Sequence, residues 1–404
     1  MPDIPQIILK PGKRGAFSGG HPWVLAKSIE LPAAPPQDGQ EVDLLTPQGA
    51  WVARGIYNSR SHIRVRLYSW RPGQRLDDDF WRMRLSAAIE LRRAIGYDDP
   101  NGAARLVFSE GDGLSGLVVD RYAGHLVVQC TALAMAVRRE SIVRHLAELT
   151  RPQGIIVRSD LKMAAAEGME PFDGLAYGQP PPTPLAICEH GIAYSLDLGQ
   201  GQKTGYYLDQ RENHRAAAGY FRGRRVLDMF CYTGGFSLAA AKLGAAREVL
   251  GVDSSQRAID EAHRGARENG LDNVRFQTGE GFAVLESLAA AGERFGGVIL
   301  DPPRFAGSRL SIDHALRAYH RLNRLGVQLL EPGGILVTCS CSGRVSREDF
   351  RQMLAGVSQK TRRDLQILEQ RGAAPDHPVR LACPETEYLK CFICRAGGDD
   401  KVAR

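Results

Sequence analysis

Short apolar runs alternate with helical segments through the part of the chain that follows residue 185, and this pattern constrains the fold more than any other feature. The apolar runs cover residues 226–230, 248–252, 274–277, 297–300 and 335–340. Apolar strands that alternate with helices are typical of a parallel sheet covered on both faces. Ligands of such sheets bind beyond the carboxyl ends of the strands. We therefore expect residues 186–404 to form an α/β domain whose site lies among the residues that follow each strand.

The first 75 residues have a different texture, with short β elements interrupted by Pro and Gly turns. Residues 61–68 alternate, which places Ile63, Val65 and Leu67 on one face of a strand and Arg64, Arg66 and Tyr68 on the other. Residues 1–75 hold ten Lys or Arg against five acids, in a chain whose net charge is +6. The pattern predicts a small barrel with a basic, partly aromatic outer face. Such a face suits phosphate contacts and base stacking, although a solvated basic surface is the plainer alternative.

Residues 76–185 mix helices and strands. A helix is predicted over residues 77–95, strands over 105–108, 117–120 and 125–130, a second helix near 136–149 and a strand at 154–158. We expect an α+β middle domain, which a proline-rich connector at residues 179–184 joins to the rest of the chain.

Composition excludes several classes of protein. No run of about 18 apolar residues is present and the N-terminus has no secretory pattern, so we expect a cytoplasmic protein without a membrane partner. Eight cysteines in 404 residues are too sparse for a disulfide framework. Cys391 and Cys394 have CxxC spacing without a second pair nearby, so we interpret them as packed thiols and expect no metal.

The ends of the first three strands suggest a site for a nucleoside ligand. Asp228 lies near the end of the first strand, the pair Gly234-Gly235 follows it, and Asp253 ends the second strand. The glycines allow close approach to a helix N-terminus, and an acid at the position of Asp253 can hold ribose hydroxyls. The turn after the first strand lacks the GxGxxG of a pyrophosphate binder, which argues against NAD or FAD at this site. Asp228 can accept from an ammonium group and Glu280 can reach an adenine amino group, so S-adenosylmethionine is the expected cofactor.

The fourth strand ends in Asp301, followed by two prolines, Arg304 and Phe305. The prolines hold the Asp301 carboxylate in a rigid loop, where it can bind the amino edge of a base, and Phe305 can stack on that base. Residues 304–324 form a second basic patch, with five Arg, two His and a single acid.

The fifth strand leads to Cys339 and Cys341 in a Ser/Gly-rich loop. C5 of cytosine is a poor nucleophile, and addition of a thiolate to C6 makes it able to accept a methyl group. Cys341 lies farther out than Cys339 and is the better candidate. From the spacing alone, a buried structural cysteine is an equally good interpretation.

Several motifs together give the chain a family resemblance. They are residues 54–66, 203–213 (Lys-Thr-Gly-Tyr-Tyr-Leu-Asp-Gln-Arg-Glu-Asn), 228–236, 301–305, 340–343, 376–379 and 388–390. With these the chain resembles the class I S-adenosylmethionine-dependent methyltransferases with an N-terminal PUA domain that form 5-methylcytosine in 23S rRNA (the RlmI family). The resemblance implies a PUA domain over residues 1–75, a middle domain over 76–185 that contacts RNA, and a Rossmann-like methyltransferase domain over 186–404.

The resemblance also implies roles for individual residues. It makes Cys341 the nucleophile, with Asp301 beside it, and leaves Cys339 to packing. Its cofactor contacts correspond to Gln210, Asp228, Gly234, Asp253, Glu280 and Asp301. For RNA we expect contacts from Arg64, Arg66, Arg304 and Phe305.

The expected partner is 23S rRNA or a precursor of the large ribosomal subunit. The sequence leaves open whether the chain forms a homodimer. Two alternatives are a methyltransferase that modifies another base atom, such as a guanine nitrogen, and an RNA-binding assembly factor with a vestigial cofactor pocket.

Overall fold

A computed structural model describes residues 4–30, 34–198, 206–305 and 312–397. The chain forms two compact units. The first contains residues 1–187, 196–208 and 375–386, and the second contains residues 188–195, 209–374 and 387–404. No helix within the described ranges is long and apolar enough to span a membrane. Lys203 to Gly205 and Arg309, which belong to the predicted motifs, lie outside the described residues.

The first unit begins with a five-stranded sheet and one short helix: β1 (Gln6–Ile8), α1 (Arg14–Ser18), β2 (Trp23–Leu25), β3 (Glu41–Leu45), β4 (Trp51–Tyr57) and β5 (Ile63–Ser69). The strand order is β1-β3-β4-β5-β2, in which only β1 and β3 pair in parallel. Apolar residues from every strand, among them Ile7, Val24 and Val65, form its core. The predicted small β domain is therefore present.

The polar face of β5 differs from the prediction. Every residue of β5 from Val65 onward is buried, so Arg66 and Tyr68 do not face solvent. The Arg66 guanidinium donates to Glu110 Oε1 (3.3 Å), Ser115 Oγ (3.0 Å) and Glu167 Oε1 (3.2 Å). The Tyr68 hydroxyl donates to the Ser115 carbonyl (2.7 Å). The predicted outer face is wrong for these two residues, because other parts of the same unit cover it and supply the acids that neutralise Arg66.

The rest of the first unit is the α+β region, which has a second five-stranded sheet of order β10-β9-β8-β7-β6. Its elements are α2 (Asp78–Ala94), β6 (Ala103–Phe108), β7 (Leu117–Tyr122), β8 (His125–Cys130), α3 (Leu133–Ala136), α4 (Arg139–Thr150), β9 (Gly154–Arg158), α5 (Leu161–Glu167) and β10 (Gly174–Gly178). Asp77 caps α2 by accepting from the Phe80 amide, as its position in the sequence suggests. The two-stranded sheet of β11 (Leu185–Glu189) and β12 (Ile192–Leu196) follows.

The second unit is a seven-stranded sheet with helices between its strands. Its elements are α6 (Arg211–Ala218), β13 (Arg225–Met229), α7 (Gly235–Lys242), β14 (Glu248–Asp253), α8 (Gln256–Glu268), β15 (Val274–Thr278), α9 (Gly281–Ala290), β16 (Phe295–Leu300), α10 (Ile312–Gln328), β17 (Leu330–Ser340), α11 (Arg347–Thr361), β18 (Leu365–Arg371) and β19 (Lys390–Ala396). The order is β15-β14-β13-β16-β17-β19-β18, and the first five of these strands run parallel. The predicted α/β architecture is confirmed, with an antiparallel edge formed by β19 and β18.

The register of the parallel strands brings their carboxyl ends together. Met229 is paired with Val252 on one side and with Leu300 on the other, and Leu300 is paired with Thr338. The residues that follow these four positions therefore share one edge of the sheet, and the predicted site residues Asp253, Asp301 and Cys341 lie at this edge.

Candidate active site

The turn from β13 to α7 forms the first part of the site. Gly234 caps α7 in a left-handed conformation (φ 87°), and a Cβ added there would lie 3.0 Å from the Phe276 ring. Asp228 is fully buried and accepts a hydrogen bond from Ser237 Oγ (2.6 Å). Its Oδ1 has no hydrogen-bond partner within the described part of the chain. Burial raises the pKa of Asp228 to about 7, which the Ser237 hydroxyl partly offsets.

Asp253 organises the loop at the end of the neighbouring strand. Its Oδ2 accepts from the Tyr232 amide (3.0 Å), and its Oδ1 accepts from the Ser255 amide (2.9 Å). Each carboxylate oxygen has two lone pairs, so both can still accept from a hydroxyl. The backbone amides therefore fix the orientation that a ribose contact needs.

Glu280 is exposed and caps α9, with its Oε2 accepting from the Ala283 amide (2.9 Å). Gly281 follows it at a tight position, because an added Cβ would lie 2.5 Å from the Phe230 ring. One of the two carboxylate oxygens of Glu280, the group predicted to contact adenine, thus caps the helix.

Gln210 orients Asp301, the fourth predicted carboxylate of the site. It is buried, its Nε2 donates to Asp301 Oδ2 (3.0 Å), and its Oε1 accepts from Asn213 Nδ2 (2.6 Å). The Asn213 amide sets which end of the Gln210 side chain faces Asp301. Burial raises the pKa of Asp301 to about 7, and the Asp209 carboxylate adds to this rise.

The two cysteines at the end of β17 have different environments. Cys339 is fully buried and paired across the sheet with Cys391, whereas Cys341 is partly exposed just beyond the strand. Burial raises the pKa of Cys341 to about 11; the Asp301 carboxylate raises it further and the Arg304 guanidinium lowers it. In the free protein the Cys341 thiol is therefore protonated at neutral pH, close to Asp301.

The predicted RNA contacts are divided between exposed and packed positions. Arg304 is exposed and Phe305 is half-buried, with its ring centroid 4.8 Å from that of Tyr319. Arg64 is half-buried and donates to the Asn58 carbonyl (3.2 Å). Arg66 is buried in ion pairs with Glu110 and Glu167, so its predicted RNA contact is corrected to a structural one.

Three residues near Cys341 have no role in the sequence interpretation. Lys390 is buried, and its Nζ donates to the Ser342 carbonyl (2.7 Å) and the Tyr388 carbonyl (2.8 Å). The Tyr319 hydroxyl shares a hydrogen bond with Ser342 Oγ (3.1 Å). The Tyr388 hydroxyl donates to Asp209 Oδ2. The signals in the sequence were the motif at residues 388–390 and a lysine at the start of the apolar run of β19.

These residues fit S-adenosylmethionine. The unpartnered oxygen of Asp228 is a buried acceptor that suits an ammonium group, and the left-handed glycine keeps the start of α7 clear of side chains. Asp253 offers two oriented oxygens for hydroxyls.

Comparison with known proteins agrees with this geometry. A family model for S-adenosylmethionine-dependent methyltransferases matches residues 173–380, and one for PUA-like domains matches residues 7–70. Ribosomal RNA large subunit methyltransferase I of Erwinia tasmaniensis is 38% identical over 392 residues, covering 96% of this chain and 99% of its own length. The protein of the same name from Aeromonas hydrophila is 40% identical over 393 residues, with coverage of 96% and 99%. The solved structure of SMU.776 complexed with S-adenosylhomocysteine has a TM-score of 0.84 at 21% identity, covering 97% of this chain and all of that one.

Fold and site together define a class I S-adenosylmethionine-dependent methyltransferase with a PUA-like N-terminal domain. The predicted cofactor and fold class are thereby confirmed. Within this class the chain belongs to the family of ribosomal RNA large subunit methyltransferase I.

Proposed function

We propose that this enzyme methylates C5 of a cytosine in 23S rRNA and that Cys341 forms a transient bond to C6 of that base. The observation that carries the proposal is the contrast in exposure between Cys341, partly exposed just beyond β17, and Cys339, fully buried in the sheet, although both thiols lie near Asp301. The names of the relatives support ribosomal RNA of the large subunit as the substrate.

The side chains at the sheet edge divide the chemistry among them. S-adenosylmethionine, when bound, supplies the methyl group. The Cys341 thiolate adds to C6, and its electron pair makes C5 nucleophilic. Asp301, oriented by Gln210, binds the N3 and N4 edge of the cytosine; a pKa of about 7 lets it donate to N3 or accept from N4. After methylation a base removes the C5 proton, the Sγ–C6 bond breaks, and the 5,6 double bond re-forms.

The base has to leave its helix to reach this edge of the sheet, as in other enzymes that act on a single base. Arg304 is exposed beside the site and is suited to a phosphate contact. We further propose that the PUA-like domain and the α+β region hold the RNA mainly through phosphates, with Arg64 as one contact.

The test compares Cys341→Ala with Cys339→Ala as the matched control, because Cys339 lies two residues earlier in the same segment. Methyl transfer from labelled S-adenosylmethionine to 23S rRNA should fall below about 1% of the wild-type rate in Cys341→Ala, while Cys339→Ala keeps most of it. Bisulfite mapping of the RNA product identifies the methylated cytosine.

Full activity of Cys341→Ala would contradict the covalent route. Methylated RNA without a protected cytosine would instead show that another base atom is the acceptor.

A further inference from the structure

Lys390 is a buried cation that forms no ion pair with a carboxylate among the residues that the structure describes. It is 1% exposed at the start of β19, and the only hydrogen bonds of its Nζ within the described chain go to the carbonyls of Ser342 and Tyr388. No described Asp or Glu forms an ion pair with it. Burial of an ammonium group is costly unless an opposite charge compensates it, so a lysine here needs an explanation.

The position of Lys390 identifies the loop that it holds. Ser342 directly follows Cys341, so the contact to its carbonyl ties the ammonium group to the cysteine loop. Cys339 and Lys390 lie on the paired strands β17 and β19, where Lys390 is opposite Ser340. Tyr319 holds the same loop from the other side, through Ser342 Oγ. The loop that presents Cys341 is thus fixed at its backbone and at a neighbouring side chain.

The charges that act on the two groups show what is missing. Cys341 faces the carboxylates of Asp301 and Asp209 and the exposed guanidinium of Arg304. Lys390 faces Cys341, Glu387, Arg347 and Arg304. Of the two negative groups that act on Lys390, Glu387 is already paired with Arg347, whereas the ionised form of Cys341 belongs to the loop that Lys390 holds.

We propose that Lys390 is a positioning residue that fixes the Cys341 loop and stabilises the Cys341 thiolate by its buried positive charge. The inference rests on the proposed covalent role of Cys341. In this step the Cys341 S–H bond breaks, the proton goes to solvent, and the electron pair stays on sulfur, while Lys390 keeps its three protons. A charge in the low-dielectric interior acts more strongly on the thiolate than an exposed one such as that of Arg304.

Burial also sets the limit of this effect. It lowers the pKa of Lys390 to about 8, and the Cys341 thiolate opposes this by raising it. Thiolate and ammonium therefore stabilise each other. At pH 7 most of the Lys390 side chain is still charged and available for this role.

The test measures the rate of alkylation of Cys341 by iodoacetamide between pH 6 and 7.5, where most of Lys390 is charged, without RNA or S-adenosylmethionine, by mass spectrometry of the Cys341 peptide. The thiolate sulfur forms the new S–C bond and iodide leaves. In Lys390→Met we expect the alkylation rate to fall about tenfold throughout this range, because a rise of about one unit in the pKa of Cys341 lowers the thiolate fraction by that factor. Lys390→Arg, which keeps the charge, should restore most of the rate, and Lys242→Met, which removes an exposed lysine of α7, should leave it unchanged.

Lys390→Gln separates charge from loop positioning, since its amide can still donate to the carbonyls. It should behave like Lys390→Met; if Lys390→Met does not fold, the comparison of Lys390→Gln with Lys390→Arg decides the question. Wild-type profiles in both neutral variants, together with a lowered melting temperature, would overturn the proposal in favour of a structural role. Because this readout needs no methyl transfer, its failure is distinguishable from activity of Cys341→Ala, which would contradict the covalent mechanism itself.

Discussion

Asp228 combines full burial with a carboxylate oxygen to which no described residue donates a hydrogen bond. Its ordinary pKa near 4 rises to about 7 in the folded protein because burial disfavours the charge. The folded state therefore binds a proton more tightly than the unfolded state. The free energy of unfolding falls as the pH rises from about 4 to about 7, and the loss is complete above that range. The cofactor's ammonium group is the natural compensation for this charge.

Asp228→Asn should therefore separate stability from cofactor binding. The variant keeps an acceptor for Ser237 Oγ and loses the buried charge, so at pH 8 we expect its free energy of unfolding to increase by about 1–3 kcal/mol. At pH 4, where the carboxyl is neutral in the folded state and only about half ionised in the unfolded state, the gain should be close to zero. Affinity for S-adenosylmethionine should fall at least about tenfold, as measured by calorimetry at pH 8. An unchanged affinity would show that Asp228 does not contact the cofactor.

At the residue scale the sequence was informative where an acid or a thiol ends an apolar strand. Asp228, Asp253, Asp301 and Cys341 all lie at one edge because parallel strands place their carboxyl ends together. Lys390 was not assigned a role, because no local pattern shows that β19 pairs with β17 and brings its first residue next to Ser342. Such contacts between distant segments depend on the sheet order.

At the scale of elements, the alternation of apolar runs and helices predicted the parallel part of the sheet. The edge strand β18 was not predicted, because its sequence, Leu-Gln-Ile-Leu-Glu-Gln-Arg, has no clean alternation of apolar and polar residues. Most of its side chains are exposed. The turn between β13 and α7 was predicted from its glycine pair, and its conformation gives the physical reason. Gly234 adopts a positive φ that a side chain makes costly, at the start of the helix nearest Asp228.

Gly234→Ala tests that turn. Left-handed backbone and the close Phe276 ring should together lower the free energy of unfolding by about 1–2 kcal/mol and weaken S-adenosylmethionine binding. Gly219→Ala is the matched control: its φ is −57° and the nearest atom to an added Cβ is 3.4 Å away, so it should be close to neutral. Denaturant unfolding and calorimetric titration measure both quantities. Equal behaviour of the two variants would contradict the strained-turn argument.

At the scale of the whole molecule, the distribution of charge is less simple than the sequence count. Most of the excess of +6 comes from the first 75 residues. There, however, Arg54 pairs with Asp43 and Arg66 pairs with Glu110 and Glu167. A count of charges cannot show which cations are neutralised by acids from other parts of the chain. The basic surface left for RNA is therefore smaller than the composition indicates.

Arg64 and Arg66, two residues apart in β5, should separate RNA binding from folding. Arg66→Met leaves two buried glutamates without their cation, so the free energy of unfolding of the first unit should fall by about 3–5 kcal/mol. Arg64→Met loses one hydrogen bond to a carbonyl and should cost about 1 kcal/mol. If Arg64 contacts a phosphate, its variant should bind 23S rRNA more weakly, and the slope of log affinity against log salt should decrease by about one. Arg66→Met that stays folded should keep the wild-type salt slope, because a guanidinium held between two buried carboxylates cannot also reach a phosphate. If instead Arg66→Met lowered the salt slope and Arg64→Met did not, Arg66 would be the RNA contact.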